Sequence, residues 1–335
     1  MVCGGGGLNH YQPPAADRFQ RPLLRRSRFQ QRLRRGVRRQ SQSTGGRYEH
    51  RPWCHGDNRS RGCPIAPRSG PSRPAVVRNA ATAKGSLPDS VDFAAADLTE
   101  PSSLAGVFAG GDALFLLVPV APNQSDLELD ALRVARSAGV RRVVKLSAIG
   151  ADPLARGYFS RSHGVVEAAL RGSGLGWTIV RGAFFYSNLL FAADTIKRHS
   201  QYVGHWADHP AAWVDPADLA AVCARCLTDP GLAGETLTAT GPAALTNAQL
   251  CEVLSRALGR PIRYIDQSPA EYEKTLVAHG GPEWYARAEV ALGDVVRSGV
   301  AREVTHVVER LTGRPPRSMS DYVSANQGAF APERT

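Results

Sequence analysis

Residues 113–118 read Ala113-Leu114-Phe115-Leu116-Leu117-Val118, apolar at every position. A strand wet on one face alternates polar with apolar. An unbroken run therefore predicts a strand covered on both faces, as in a parallel sheet. Residues 126–138 follow with helical spacing and end at Gly139, suited to the left-handed turn that closes a helix. Arg142-Val143-Val144-Lys145-Leu146 then reads as the next strand. Strand, helix and strand in this order make a right-handed crossover between parallel strands.

The same alternation extends both ways. Downstream come a helix over 164–171, Gly172 and Gly174, and a strand over 177–180. Upstream lie a short strand at 74–77, a second at 91–95 closed by Asp97, and a helix over 101–109. Pro101 stands in the first turn of that helix, where its missing N–H costs nothing. The pattern predicts an α/β, doubly wound, Rossmann-like parallel sheet. A smaller C-terminal α/β lobe follows. It has a helix over 246–258 capped by Thr246 or Asn247 and ended by Gly259, an edge-like strand at 261–265, helices over 268–279 and 284–298, and a closing segment 303–326. We divide the chain into an irregular Arg-rich segment 1–75, a dinucleotide domain 76–240 and a substrate lobe 241–328.

Charge is uneven. The chain of 335 residues has a net charge of +11, but residues 1–75 hold sixteen Arg, no Lys and only three acids, Asp17, Glu49 and Asp57. The remainder has 25 basic against 27 acidic residues and is an ordinary near-neutral domain. The first quarter has no lasting apolar period. It reads as a phosphate-binding arm, a transit peptide, a solvated tail, or a segment translated out of frame. No run reaches the roughly 18–20 apolar residues that span a bilayer, and no secretory signal opens the chain. Six cysteines are too sparse for a disulfide scaffold. Cys223 and Cys226, three positions apart and so on one face of a helix, read as buried thiols or as a redox or metal pair that lacks a second half. A reducing cytoplasm fits, and no metal is expected.

In an open parallel sheet, ligands sit beyond the carboxyl ends of the strands. The residues there are Arg78-Asn79, Asp97-Leu98, Val118-Pro119, Lys145 to Ala148, and Arg181 to Asn188. Asp97 could cap the helix that follows it. Asp215 caps the helix beginning near Pro216, and Trp213, Asp215 and Asp218 read as structural.

Several segments together carry a resemblance. They are Asp97-Leu-Thr-Glu-Pro-Ser-Ser-Leu, Asp112-Ala-Leu-Phe-Leu-Leu-Val-Pro, Ala138-Gly-Val-Arg-Arg-Val-Val-Lys-Leu-Ser-Ala and Trp177-Thr-Ile-Val-Arg-Gly-Ala-Phe-Phe-Tyr-Ser-Asn-Leu. Trp213-Val-Asp-Pro-Ala-Asp-Leu-Ala, residues 237–258 and Val304-Thr-His-Val-Val-Glu-Arg-Leu-Thr-Gly-Arg-Pro-Pro continue it. The chain resembles the NmrA-like atypical short-chain dehydrogenases over about residues 76–328, and within them the type 2 NAD(P)H:quinone oxidoreductases. It lacks that family's Gly-x-x-Gly-x-x-Gly turn and first strand. As written it should therefore bind dinucleotide poorly, because the turn brings backbone N–H donors to the pyrophosphate.

The resemblance implies a cytoplasmic oxidoreductase using NADP, or NAD, that passes hydride to an apolar acceptor such as a quinone. The alternative is a regulator that binds NAD(P) without turnover. A homo-oligomer is compatible with either, and neither membrane nor nucleic acid is an expected partner. It places Arg78, Asp97, Leu98, Val118, Pro119 and Lys145 on the cofactor: Arg78 at the 2′-phosphate, Asp97 and Leu98 at the adenine, Val118 and Pro119 under the nicotinamide ribose. Lys145, Ser147 and His163 are the catalytic candidates. Standard short-chain dehydrogenases pair a Ser with Tyr-x-x-x-Lys. Here the Tyr slot holds Phe159, which has no proton to give, and the Lys slot holds His163, with Tyr158 adjacent. Phe184, Phe185, Tyr186 and Asn188 follow the last of these strands and suit a planar apolar acceptor.

Reading the codons of Trp53 to Pro64 one nucleotide later permits Gly-Val-Thr-Gly-Thr-Thr-Gly-x-Val-Gly, the missing turn at about the right distance before Arg78. The coding DNA over codons 50–76 is therefore expected to spell that turn in the shifted frame. A forced non-glycine codon at any of its glycines would remove this reading.

Overall fold

The computed structural model describes residues 74–79 and 91–331. The basic arm and the shifted-frame codons lie outside the described residues. In chain order the elements are β1 (Ala75–Val77), β2 (Phe93–Ala95), α1 (Pro101–Phe108), β3 (Ala113–Leu116), α2 (Gln124–Ser137), β4 (Arg142–Ala148), α3 (Tyr158–Arg171) and β5 (Gly176–Gly182). There follow β6 (Phe184–Phe185), a 3-10 turn Tyr186–Ala192, α4 (Ala193–His199), β7 (Gln201–Gly204), β8 (Ala211–Val214), α5 (Pro216–Thr228) and β9 (Thr236–Ala239). The rest comprises β10 (Ala244–Leu245), α6 (Asn247–Leu258), β11 (Arg263–Asp266), α7 (Pro269–Ala278), α8 (Glu283–Arg297), α9 (Val307–Thr312), α10 (Met319–Ala325) and α11 (Gln327–Phe330).

The central sheet runs β3-β4-β5-β9 with every pair parallel, and β1 pairs with β2, also parallel. Alternation along β4 sorts its side chains onto two faces. Val143 joins Leu104, Leu132, Val166 and Leu170 under α1, α2 and α3, whereas Val144 and Leu146 join Val180, Leu219, Val222 and Leu237 under α5. Helices thus cover both faces, as the alternation predicted. Cys223 and Cys226 lie in the second of these clusters, both buried.

Three local expectations change. β3 is covered less than its composition suggests: among the described residues its ladder partner is β4, and Phe115 is 37% exposed. An edge strand cannot bury both faces and both flanks. Asp97 does not cap α1, whose N-cap is Glu100. Its carboxylate instead closes a turn on Thr99, accepting from that residue's N–H at 2.9 Å and hydroxyl at 2.8 Å. Finally, the helix expected at 164–171 begins a turn and a half earlier, at Tyr158. The capping expectations hold elsewhere. Thr246 forms a reciprocal capping box with Gln249, Asp215 accepts from Ala217 N–H at 2.7 Å, and Gly139 has φ +80° just after α2.

Packing divides the chain differently from its order. β6 pairs with β8, β8 with β10 and β7 with β11, in ladders separate from the central sheet. One apolar cluster joins Phe184, Tyr186, Leu189, Ile196, Trp206 and Trp213 with Leu250, Leu254, Val296, Met319 and Phe330. The smaller lobe therefore draws on both sides of residue 240.

One glycine fixes how the loop after β4 crosses α3. A Cβ on Gly164 would overlap the backbone of Asp152 and Pro153, so the loop lies directly on the helix next to His163. Gly164→Ala should cost about 1–3 kcal/mol through forced displacement of that loop, read as a lower denaturant midpoint.

Candidate functional site

Lys145 is the most constrained residue at the strand ends. On β4 it shares the α2/α3 side with Val143, and its side chain is fully buried. The ammonium donates to Glu128 Oε1 at 2.8 Å and to the Leu146 carbonyl, and faces His163 Nδ1 at 3.4 Å. Three donors thus meet three acceptors. An ammonium cannot accept, so Nδ1 of His163 must, which leaves the ring proton on Nε2. Burial first, and the Lys145 charge second, depress the His163 pKa to about 3 and keep the ring neutral. His163 is a neutral hydrogen-bond donor with one tautomer, still partly accessible at its tip.

Glu128 comes from the inner face of α2, one turn after the buried Gln124. Burial raises its carboxyl above the usual range against the pull of Lys145, and burial lowers the Lys145 ammonium against the pull of Glu128. Its Oε1 also accepts from Val118 N–H at 3.3 Å, so one carboxylate ties the exit of β3 to β4. Val118 is buried, whereas Pro119 and Val120 are exposed beyond it.

A second carboxylate orders the next position. Ser147 Oγ donates to Glu167 Oε1 at 2.6 Å, and Arg181 grips the same carboxylate through Nε at 2.9 Å and Nη2 at 2.7 Å. Arg171 adds a contact at 3.0 Å. Burial pushes Glu167 up, but the hydrogen bonds from Arg181 and Ser147 with the arginine charge outweigh it and hold the carboxyl below its ordinary value. The register that sets Ser147 beside Arg181 on β4 and β5 makes the arrangement possible. Tyr158, at the start of α3, donates to the Ala121 carbonyl and so ties the loop after β3 to α3.

The adenosine-side candidates also meet. Arg78 leaves β1 exposed, and its charge, after the Thr99 hydrogen bonds, helps to lower the Asp97 pKa at the end of the neighbouring β2. Leu98 packs against the α1/α2 cluster. The acceptor-side candidates separate. Phe184 lies between Trp206 and Trp213, and Tyr186 is buried with its hydroxyl donating to the Arg317 carbonyl at 3.1 Å. Phe185 and Asn188 keep some accessible surface. Trp213 is buried, and Asp218 accepts from Arg317 N–H at 2.7 Å, both structural tasks. A concavity of about 390 Å³ on α6 and β11 includes none of these residues.

The sequence reading missed Glu128, and used Glu167 only to count from. A polar residue at the i+4 position of the apolar stripe of α2 was the available signal for the first. Among the described residues no cluster of His, Cys, Asp and Glu is gathered for a metal, and no helix is long and apolar enough to cross a membrane.

A doubly wound parallel sheet with its polar residues gathered past the carboxyl strand ends defines a dinucleotide-binding α/β protein. Comparison with known proteins narrows the class. A family model described as NAD(P)H-binding matches residues 68–230. An NAD(P)H azoreductase of Xenophilus azovorans is 32% identical over 256 residues, 76% of this chain and 90% of the relative. A (4-alkanoyl-5-oxo-2,5-dihydrofuran-3-yl)methyl phosphate reductase of Streptomyces griseus is 37% identical over 225 residues, 67% of this chain and 79% of the relative. In fold, an NADPH-dependent quinone oxidoreductase of Escherichia coli superposes with a TM-score of 0.69 at 24% identity, over 77% of this chain and 92% of that one. The chain belongs to this NAD(P)H-binding family, the atypical short-chain dehydrogenase group that its motifs resemble, and is an NAD(P)H-dependent oxidoreductase related to these proteins.

The neutral state of His163 has a cost in acid. In the unfolded chain a histidine titrates near 6.5, so below that pH the unfolded state binds a proton that the folded state refuses. The stability this group contributes is complete above about 6.5 and is lost as pH falls toward 3. His163→Gln should therefore lose less stability than the native protein between pH 7 and pH 5, by up to about 2 kcal/mol. Parallel denaturant titrations at the two pH values would show the difference.

Proposed function

We propose that the protein uses NADP(H) in preference to NAD(H) and reduces a planar apolar acceptor, of which a quinone is the simplest case. The observation that carries this is the placement of Arg78 beside Asp97 at one end of the strand-end row, and of a neutral Nε2–H donor, His163, at the other. An exposed guanidinium at the end of β1 fits a terminal phosphate, and Asp97 and Leu98 on the neighbouring strand end fit the flat edge of an adenine. These residues suit the adenosine end of the group, whereas the glycine turn that would meet the pyrophosphate is missing from the chain as written. When bound, NADPH supplies the hydride.

The chain's own residues then bind and orient. Val118 and Pro119, fixed by Glu128, offer a rigid apolar step for the nicotinamide ribose. Lys145 acts from behind, since it is buried and its three donors are engaged: it sets the tautomer of His163 rather than touching an acceptor. His163 Nε2–H can hold an acceptor oxygen or a carboxamide oxygen. Ser147 is committed to Glu167 and stiffens the floor between β4 and β5. Phe185 and Asn188 offer the accessible apolar and amide surface, with Phe184 and Tyr186 supporting them from the core. The named relatives reduce azo, quinone and furanone-phosphate compounds by their printed descriptions, which supports an acceptor class of flat, conjugated molecules.

NADPH oxidation followed at 340 nm with menadione tests this reading, and cofactor binding without turnover would favour the sensor instead. Arg78→Glu should raise the KM for NADPH by about 10- to 100-fold, the worth of one charge-assisted phosphate contact, with a much smaller change for NADH. An equal change for both cofactors would remove Arg78 from the phosphate.

A further inference from the structure

Glu128 accepts on Oε1 from the Lys145 ammonium at 2.8 Å and from Val118 N–H at 3.3 Å, and both charged side chains are fully buried. The ammonium also meets the Leu146 carbonyl and, at 3.4 Å, Nδ1 of His163. An ionised carboxylate and a carbonyl can only accept a hydrogen bond. His163 alone among these partners can exchange roles, because a neutral imidazole carries its proton on either nitrogen.

That asymmetry makes the ring a reader of the charge on Lys145. An ammonium has three N–H donors and no lone pair, so all three partners accept and the ring proton sits on Nε2. A neutral amine has two donors and one lone pair. The donors go to the two oxygens, the lone pair is left to the ring, and the ring proton must then sit on Nδ1. Nε2 becomes an acceptor and can no longer hold the oxygen of a quinone or a carboxamide. Burial pushes Lys145 toward the amine, the charge and hydrogen bond of Glu128 pull it back, and the charge of Glu167 on α3 adds a weaker pull. Glu167 is itself neutralised by Arg181 and Arg171, which leaves Glu128 as the deciding partner. The ring does not take up the charge in its place, since its own pKa is depressed to about 3.

We propose that Glu128 is a positioning residue for the reaction: its pairing with Lys145 keeps Nε2 of His163 a hydrogen-bond donor. The carboxylate acts through Lys145 and His163 and not on cofactor or acceptor. The same oxygen fixes Val118, so one buried atom sets both the step offered to the nicotinamide ribose and the donor offered to the acceptor. The proposal rests on the reductase reading above.

The test is nitrogen NMR of the histidine rings in the full chain, with His163 assigned by its absence from His163→Gln, and it needs no cofactor. The two nitrogens of a neutral imidazole differ in shift, so the tautomer is read directly. In the native protein at neutral pH the proton should lie on Nε2. A proton on Nδ1, or an imidazolium, overturns the proposal even if no variant folds. Raising the pH should move the ring proton from Nε2 to Nδ1 as Lys145 releases its own proton to solvent. Glu128→Gln keeps the volume and an oxygen for Val118 and Lys145 but removes the charge, so it should bring that exchange about 1–3 pH units lower. Exchange at the native pH in this variant overturns the proposal. With NADPH and menadione, kcat/KM of the variant should fall about tenfold or more where its ring has switched, and recover on acidification with the same midpoint. A loss that is equal at every pH is a packing effect and also overturns it. If the native protein fails to oxidise NADPH while the ring exchange behaves as stated, it is the reductase reading that falls.

Discussion

A fully buried ammonium group must find three acceptors, and much of the strand-end architecture follows from how Lys145 finds them. Taking such a charge out of water costs several kcal/mol, offset only by close and complete pairing. Glu128 from α2, the Leu146 carbonyl on β4 and His163 from α3 supply it. Because Glu128 also holds Val118, one buried pair fixes four segments: α2, the exit of β3, β4 and α3. Loss of either charge would strand the other in the core. The pair is therefore better regarded as a device for position than as a source of net stability.

The Glu167 cluster works next to it on a different principle. Its carboxylate is half enclosed by two arginines and a serine hydroxyl, so its ionised form is favoured where that of Glu128 is not. One carboxylate is strongly held as an anion, and the other is balanced against a single buried cation. Beside them the Nε2–H of His163 is a donor with an uncommitted function. A hydrogen-bond donor whose tautomer and orientation are set before any ligand arrives has little reorganisation left to undergo.

Much of this fold was legible because its signals are local. The apolar run 113–118, the helical spacing of 126–138, Gly139, and the caps Thr246 and Asp215 each depend on a few neighbouring residues, and each element appears where expected. The site was less legible because its determinants are nonlocal. Lys145 looks like any strand-end lysine until β4 is seen to turn it under α2, and Glu128 is 17 residues away from it. Phe184 and Tyr186 have the composition of a pocket wall, yet a two-residue strand followed by a 3-10 turn directs both into the core. Asp97 could cap a helix by type, but the helix starts too far on, so the side chain closes a turn on Thr99 instead.

The division of labour between the lobes has a physical reason. The strand ends are rigid, held by buried charge pairs whose geometry tolerates little change, which suits a cofactor of constant shape. The elements α7, α8 and β7 instead carry aromatic side chains that keep some of their surface. Such residues present large contact areas at small entropic cost, and replacing one alters shape without exposing a charge. Those elements carry no ladder to the central sheet, since β7 pairs with β11 and not with β5. Substitution there leaves the Lys145 and Glu167 anchorages intact. The anchorages on the central sheet are therefore insulated from changes in the elements that carry these rings.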